Sequence, residues 1–140
     1  MVAVMAGTGA PVTLTADSTG GTFGPAFTTD GSRALYVTGG DDEWVGDLHS
    51  QAASGGAVAD HGKRVWRWRA AGGSTVVFND QYTAVAKHAG RADLRVAHVG
   101  TGDSSQRIAT QADANFFVDG QSVVYTMSGG ASDGLYVAGW

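Results

Sequence analysis

The chain contains no cysteine and only 2 prolines, whereas 22 of its 140 residues are glycine. Without cysteine it has no disulfide, no thiolate nucleophile and no cysteine ligand for zinc. The missing cysteine does not fix the compartment, because a processed periplasmic domain and a cytoplasmic one look alike in this respect. Glycine scattered between short apolar runs marks many tight turns rather than a flexible linker.

Basic residues are also few, with 9 Lys and Arg against 13 Asp and Glu and a formal net charge of -4. There is no basic stripe, so the sequence gives no electrostatic indication of a nucleic-acid partner. No apolar run approaches the roughly 18 residues that a membrane span needs. No Lys or Arg precedes Arg33, so a secretory signal with a basic start is not visible. The localisation stays open, and a periplasmic or extracellular site after processing is one of the alternatives.

One pattern occurs three times in the chain. An aromatic residue, a two-residue turn and a run rich in β-branched residues follow one another in residues 27–36, 68–78 and 117–125. Such runs favour strands, and Asp-Gly or Gly-Gly tolerates the positive φ of a tight hairpin turn. The pattern predicts hairpin turns at residues 30–31, 72–73 and 119–120. It also predicts equivalent buried positions for two sets of aromatic residues, which are Phe27, Trp68 and Phe117 before the turns and Tyr36, Phe78 and Tyr125 after them.

A longer period surrounds these hairpins. Ala-Asp pairs at 16–17, 59–60 and 112–113 are 43 and 53 residues apart, near the roughly 40–50 residues of a four-stranded propeller blade. We therefore expect one all-β domain over residues 1–140, with three four-stranded antiparallel units at about 17–59, 60–112 and 113–140. Extra residues between Asn79 and Arg91 predict an exposed loop in the middle unit, with at most two helical turns over residues 82–89.

The hairpin residues carry a family resemblance over residues 17–140. Phe27 with Asp30-Gly31, Phe117 with Asp119-Gly120, and the run Asp-Gly-Leu-Tyr-Val at 133–137 resemble the TolB-type β-propeller repeat. The Ser-Pro that precedes Asp-Gly in that family is missing from all three units. Residues 35–40 and 124–130 also resemble kelch-type repeats, in which a strand is followed by a double glycine. Both resemblances imply propeller blades, and a β-sandwich with accidental self-similarity is the alternative.

The number of units raises a question of assembly. Propellers typically hold four to eight blades, so three blades leave two open apolar faces. A twofold homodimer with six blades is the simplest closure. The third unit lacks a fourth strand, and residues 11–15 have the pattern and the phase of the missing one. We expect residues 11–15 to complete, by strand exchange between the two chains, the blade begun by residues 114–138, while residues 1–6 have no assigned place.

The sequence contains no catalytic motif. It has no glycine-rich phosphate loop ahead of a helix, no Gly-x-Ser-x-Gly elbow, and four histidines too scattered for a zinc site, so no cofactor is expected. Asp41, Asp42 and Glu43 form the densest acidic cluster, but they lack the alternating ligands of a calcium loop, and a solvated turn is the alternative. Trp66 and Trp68 alternate with arginines, which predicts both indoles on one face, either in the core or as an aromatic platform. The candidate ligand-binding residues are Trp44, Trp66, His88 and Arg91.

Functional hypotheses follow from the architecture rather than from a motif. The first is a non-catalytic propeller scaffold that binds a partner protein, which the TolB resemblance implies although fold does not determine function. The second is a lectin-like propeller that binds a glycan through Trp and Asp side chains. An enzyme with paired acids in a central channel is a third hypothesis, but no such pair is identifiable. The chain is also compatible with a truncated or engineered part of a larger propeller.

Overall fold

The computed structural model describes residues 2–4, 12–15, 24–40, 44–86, 89–100 and 105–140, and every regular element in these ranges is a β-strand. The prediction of an all-β protein is therefore confirmed. No helix of this part is long and apolar enough to cross a membrane. The strands are β1 (Val2–Val4), β2 (Val12–Thr15), β3 (Ala26–Phe27), β4 (Arg33–Thr38), β5 (Gly46–Ala52), β6 (Val58–Val65), β7 (Trp68–Ala70), β8 (Thr75–Ala86), β9 (Ala89–His98), β10 (Ser105–Asp113), β11 (Phe116–Asp119), β12 (Ser122–Met127) and β13 (Gly134–Gly139).

The strands form three larger antiparallel sheets in chain order. The first sheet has the order β3-β4-β5-β6, the second β7-β8-β9-β10 and the third β11-β12-β13. A separate small sheet pairs β1 with β2, with Ala3 opposite Thr13. Strand β1 lies in residues 1–6, which the sequence analysis assigned to no unit. It pairs within one chain with β2, which lies in the segment expected to complete the third unit. Closure of the sheets into a propeller stays a prediction.

The three predicted hairpins are present, but their loops differ in length. The loop comprises residues 29–32 in the first sheet, 72–74 in the second and 120–121 in the third. In each loop the next-to-last residue is a glycine with φ near +60 to +70°, namely Gly31, Gly73 and Gly120. Side chains after the glycine are therefore in phase in all three hairpins, and Tyr36, Phe78 and Tyr125 are all buried as predicted.

The prediction for the aromatic residues before the turns is wrong in two of the three hairpins. A loop that is shorter by one residue shifts the strand before it by one position relative to the strand after it. A shift by one residue moves each side chain to the opposite face of the sheet. Phe116 therefore lies opposite Tyr125 and is 2% exposed, whereas Phe117 is 73% exposed. Phe27 lies opposite Ala34, on the same face of its sheet as Tyr36, but this face is turned away from the second sheet and Phe27 is 43% exposed. Only Trp68 is therefore buried as predicted.

The expected loop of the middle unit is instead a long hairpin. Strand β8 continues to Ala86 and β9 begins at Ala89, with Thr83 opposite Arg91 and Ala84 opposite Gly90. The described part of residues 82–89, for which at most two helical turns were expected, is strand and contains no helix. The hairpin holds because Tyr82 is buried at its base, while Thr83, Ala84 and Val85 are exposed.

The three sheets are stacked, with the second sheet in the middle. In β8, Val76 and Phe78 pack towards the first sheet, while Val77 between them packs towards the third, as strand alternation requires. All three are fully buried, which explains the continuous apolar run in this strand. The core between the first two sheets contains Leu35, Val37, Leu48, Val65, Trp68, Val76, Phe78, Ala97 and Val99. The core between the last two contains Ala71, Val77, Leu94, Val96, Ala112, Phe116, Val123 and Tyr125.

The fourth strands of the first two sheets share one irregularity. Arg64 in β6 and Gln111 in β10 both have a positive φ, 49° and 54°, where the register of the strand shifts. The backbone N–H of each donates to an aspartate of the neighbouring strand, Asp47 at 3.3 Å and Asp93 at 3.2 Å. The repeat is thus visible in hydrogen bonding as well as in strand order, although the residues at the irregularity differ.

Candidate functional site

Two surfaces of the molecule combine unusual exposure or chemistry with a defined position in the stack. One is the face of the third sheet turned away from the second sheet, which we call the outer face. The other is a set of polar side chains on the first sheet, on the side turned away from the second sheet. The residues predicted from sequence as ligand-binding candidates lie elsewhere and are considered after these two.

The outer face is apolar and exposed. It contains the exposed residues Phe117, Leu135 and Val137 and the half-buried Val124, and strand pairing places Phe117 opposite Val124 and Val124 opposite Val137. The same position that Leu135 occupies in β13 is occupied by Leu48 in β5 and Leu94 in β9. Leu48 is 0% exposed and Leu94 2%, whereas Leu135 is 71% exposed. The outer face therefore has the composition of a surface that is covered in the two preceding sheets.

The polar set on the first sheet runs across three neighbouring strands. The Oγ1 atom of Thr38 lies 2.7 Å from Nε2 of His49, and Nδ1 of His49 lies 2.6 Å from Oδ1 of Asp60. An ionised carboxylate only accepts hydrogen bonds, so Nδ1 carries the proton of the neutral ring and Nε2 accepts from the Thr38 hydroxyl. We call these three residues the hydroxyl–imidazole–carboxylate line.

The surroundings of this line are partly apolar and partly charged. The ring of Tyr36 lies against His49, with 5.6 Å between ring centroids. Burial, followed by the charge of Asp60, raises the pKa of Tyr36, so this side chain is a neutral wall. On the same face, Nζ of Lys63 donates to Oδ2 of Asp47 at 2.7 Å, and this hydrogen bond raises the pKa of Lys63. The Asp47–Lys63 ion pair therefore lies on the same face as the line.

The corresponding positions of the second sheet hold different chemistry. Arg95 occupies the position of His49, because it lies opposite Phe78 as His49 lies opposite Tyr36. Its Nε atom lies 2.9 Å from Oδ2 of Asp80, and its Nη1 donates to Oγ of Ser105 at 3.0 Å. The repeat thus favours a polar cross-strand network at this place, but it does not require an imidazole.

The sequence-predicted candidates are only partly brought together. Trp44 is 57% exposed with a φ of 65°, and the residue after it, Val45, is buried in a cluster with half-buried Trp66. Trp66 stacks on Tyr82 with 5.5 Å between centroids. The expectation that Trp66 and Trp68 share one face is wrong, because Trp66 lies in the link before β7 and the two indoles enter different clusters.

The other predicted candidates give no joint site. Arg91 precedes Ala92 in β9, so its side chain leaves from the face opposite to the Trp66 cluster, and its Nη2 donates to the carbonyl oxygen of Ser128 at 2.6 Å. His88 and the acidic cluster of Asp41, Asp42 and Glu43 lie outside the described residues. Within the described part, no group of three or more metal-ligating side chains occurs.

One buried side chain that sequence reasoning missed is structural. Asn79 is fully buried, and its Oδ1 accepts from the backbone N–H groups of Trp66 and Arg67 at 2.9 Å each. Its Nδ2 donates to the carbonyl oxygen of Ala114 at 3.0 Å. Asn79 thus ties the links before the second and third sheets to the middle strand β8, and an Asn inside an apolar run was the signal for it.

Comparison with known proteins adds no identification. No family model matches the chain, and searches of curated proteins and of solved structures find no match. The resemblance to TolB-type and kelch-type repeats therefore rests on the residues quoted above and stays a prediction.

Proposed function

We propose that this protein is a scaffold that binds a partner protein through the outer face of its third sheet, and that this partner is a second copy of the chain. The supporting observation is the exposure of Leu135 beside the burial of its counterparts Leu48 and Leu94. Contiguous exposed apolar patches on monomeric proteins typically mark interaction surfaces. Among the described strands, β13 is an edge strand of its sheet, whereas the other two large sheets continue to a fourth strand.

The surface of the first sheet favours one arrangement of the two copies. Ala34 and Tyr36 face away from the second sheet, and yet both are buried. A head-to-tail contact would need exposed apolar side chains on this side, whereas the exposed side chains of Asp60 and Lys63 there are charged. Two outer faces can instead meet directly around a twofold axis, since a self-complementary patch closes a dimer without leaving a further surface. The six-bladed ring closed by residues 11–15 is the alternative arrangement.

The size of the face sets the expected strength of the contact. Three strands of six residues or fewer cover roughly 14 by 20 Å, given strand spacings of about 4.8 Å and a rise of about 3.3 Å per residue. This is well below the roughly 800 Å² per partner of a standard interface. We therefore expect a weak dimer that forms in the micromolar range or above.

The test measures molar mass by light scattering from about 1 to 500 µM. The wild-type mass should rise from 14.3 kDa towards twice that value with concentration. Leu135→Asp should keep the chain monomeric at every concentration, because it places a charge in the middle of the contact. Val85→Asp is the matched control, since Val85 is also largely exposed but lies on the long hairpin.

A wild-type mass of one chain at the highest concentration would contradict the proposal, as would an unchanged dimer in Leu135→Asp. Deletion of residues 1–15 separates the two arrangements. It should dissolve a ring closed by strand exchange and leave a contact between two outer faces unchanged.

Carbohydrate binding is a second candidate, and the exposed indole of Trp44 is the observation that favours it. Exposed aromatic rings stack on the apolar faces of sugars. Protection of tryptophan fluorescence by a sugar panel, lost in Trp44→Ala and kept in Phe117→Ala, would support this function. Fluorescence that no sugar of the panel changes would exclude those sugars as ligands.

A further inference from the structure

We propose that Thr38, His49 and Asp60 form a nucleophilic centre that takes acyl groups from activated carboxylic esters. The order of the groups is the one that activates a hydroxyl, with a base bonded to the nucleophile and a carboxylate bonded to the base. The distances, 2.7 Å and 2.6 Å, lie within the hydrogen-bond reach that such a centre needs. This role would be additional to the scaffold role and uses the opposite end of the stack.

The three side chains differ in exposure to solvent, and these differences suit general-base chemistry. Thr38 is half-buried, so part of this side chain is in contact with solvent. The imidazole of His49 is shielded, with Tyr36 against one side, whereas Asp60 is largely exposed. A shielded ring with both nitrogens engaged stays in one orientation and one tautomer, which a general base requires.

The other two sheets hold different residues at the positions of Thr38 and His49, so the stability of the fold does not require this set of residues. The second sheet fills the same positions with the Asp80–Arg95 ion pair. The third sheet places Tyr136 there, stacked on Tyr125. Since the architecture accepts an ion pair or an aromatic pair, an imidazole between a hydroxyl and a carboxylate is not imposed by the fold.

One charged side chain lies on the same face as the proposed site. Nζ of Lys63 is paired there with the carboxylate of Asp47. A cation on this face favours the negative charge that develops on the ester oxygen during attack.

The reaction balances with water as the second reactant. Oγ1 of Thr38 bonds to the carbonyl carbon of the ester while Nε2 of His49 takes the hydroxyl proton. The bond from that carbon to the alcohol oxygen then breaks, and the leaving oxygen receives the proton from His49. Water, deprotonated by His49, attacks the acyl-threonine, releases the carboxylic acid and restores the hydroxyl of Thr38.

The experiment uses the whole chain with two probes, p-nitrophenyl acetate and an aryl fluorophosphonate. Wild-type protein should release p-nitrophenol with a burst, and peptide mass spectrometry should find the phosphonate on Thr38. Thr38→Val and His49→Gln should each slow labelling at least about 100-fold, the low end of what general-base assistance contributes. Thr38→Ser should keep the adduct at position 38.

Asp60 acts through His49, so its test must distinguish a loss of His49 orientation from a loss of protein stability. Asp60→Asn should lower the maximal labelling rate at least about 10-fold and leave the probe concentration for half-maximal rate unchanged. Thr126→Val is the matched control, since Thr126 is an exposed strand threonine whose hydroxyl donates to a carboxylate without an imidazole. Circular dichroism of each variant shows whether the sheets are intact.

Three results would overturn the proposal. These are no adduct on residue 38 in either wild type or Thr38→Ser, an adduct that His49→Gln does not slow, or labelling at another hydroxyl only. If any of these results is obtained with folded protein, Thr38, His49 and Asp60 form a purely structural hydrogen-bond network. The scaffold proposal is tested by mass alone, so failure of one proposal is distinguishable from failure of the other.

Discussion

Phe116 and Phe117 are adjacent residues of the same type on opposite faces of the third sheet, so they provide a direct test of its register. Phe116 is packed in the core against the second sheet. Truncating a buried phenylalanine to alanine typically costs about 3–5 kcal/mol, because transfer free energy is lost and a cavity remains. Phe117 already has 73% of its surface in water, so Phe117→Ala should cost less than about 1 kcal/mol in the monomer.

The difference converts into a large difference in melting temperature. With an unfolding entropy of about 2.1 cal/mol/K per residue, 1 kcal/mol shifts the midpoint of a chain of this length by about 3 °C. We expect Phe116→Ala to lower it by about 10–15 °C and Phe117→Ala by less than about 3 °C. Urea unfolding near 1 µM, where the outer face is unoccupied, measures both free energies. Equal losses, or a larger loss for Phe117→Ala, would refute the register and the account of the two-residue loop.

Two further predictions concern the hairpin of the second sheet and the acid response. Gly90→Ala should lower stability, because its Cβ would overlap the ring of Tyr82, whereas Gly130→Ala meets open space and should change the melting temperature little. For Asp113, hydroxyl donors of β12 and the turn after it hold the pKa below the ordinary 3.8. Its stabilisation is full above that value and is lost as pH falls through the folded pKa. Stability of wild type and Asp113→Asn, measured by urea unfolding from pH 7 to 2, should therefore converge in acid; a constant difference would contradict this.

The sequence allowed prediction of the strands, the turns and the repeat, because these depend on local residue types. Positive φ at Gly31, Gly73 and Gly120 and the β-branched runs after them are local properties, and the side chains that follow these glycines were placed correctly. The length of each loop cannot be inferred from residue types in the same way. It depends on side chains such as Asp30, whose carboxylate accepts from Thr28 at 2.6 Å and from Ser32 at 2.7 Å inside the four-residue loop.

The candidate site was not predictable for a related reason. Thr38, His49 and Asp60 are separated by 11 residues each, so no short local motif contains them. They meet because two successive hairpins place His49 opposite Asp60 and next to Thr38, which follows from strand register alone. The expectation of a non-catalytic scaffold came from the absence of motifs, and cross-strand constellations are invisible to that criterion. The long hairpin was missed because exposed Thr83, Ala84 and Val85 lack strand alternation.

Among the described residues, the second sheet packs against a neighbouring sheet on each face, and the third packs against one on a single face. In a linear array, each unit owes part of its stability to the units beside it. Amide protons of β8 and β9 should therefore be the last in the molecule to exchange with solvent, and those of β13 should exchange early. We therefore expect the chain to open from its third sheet inwards. A molecule seated on the outer face would give the third sheet a second neighbour, and its amide protons would then be protected to the degree of those in the middle of the stack.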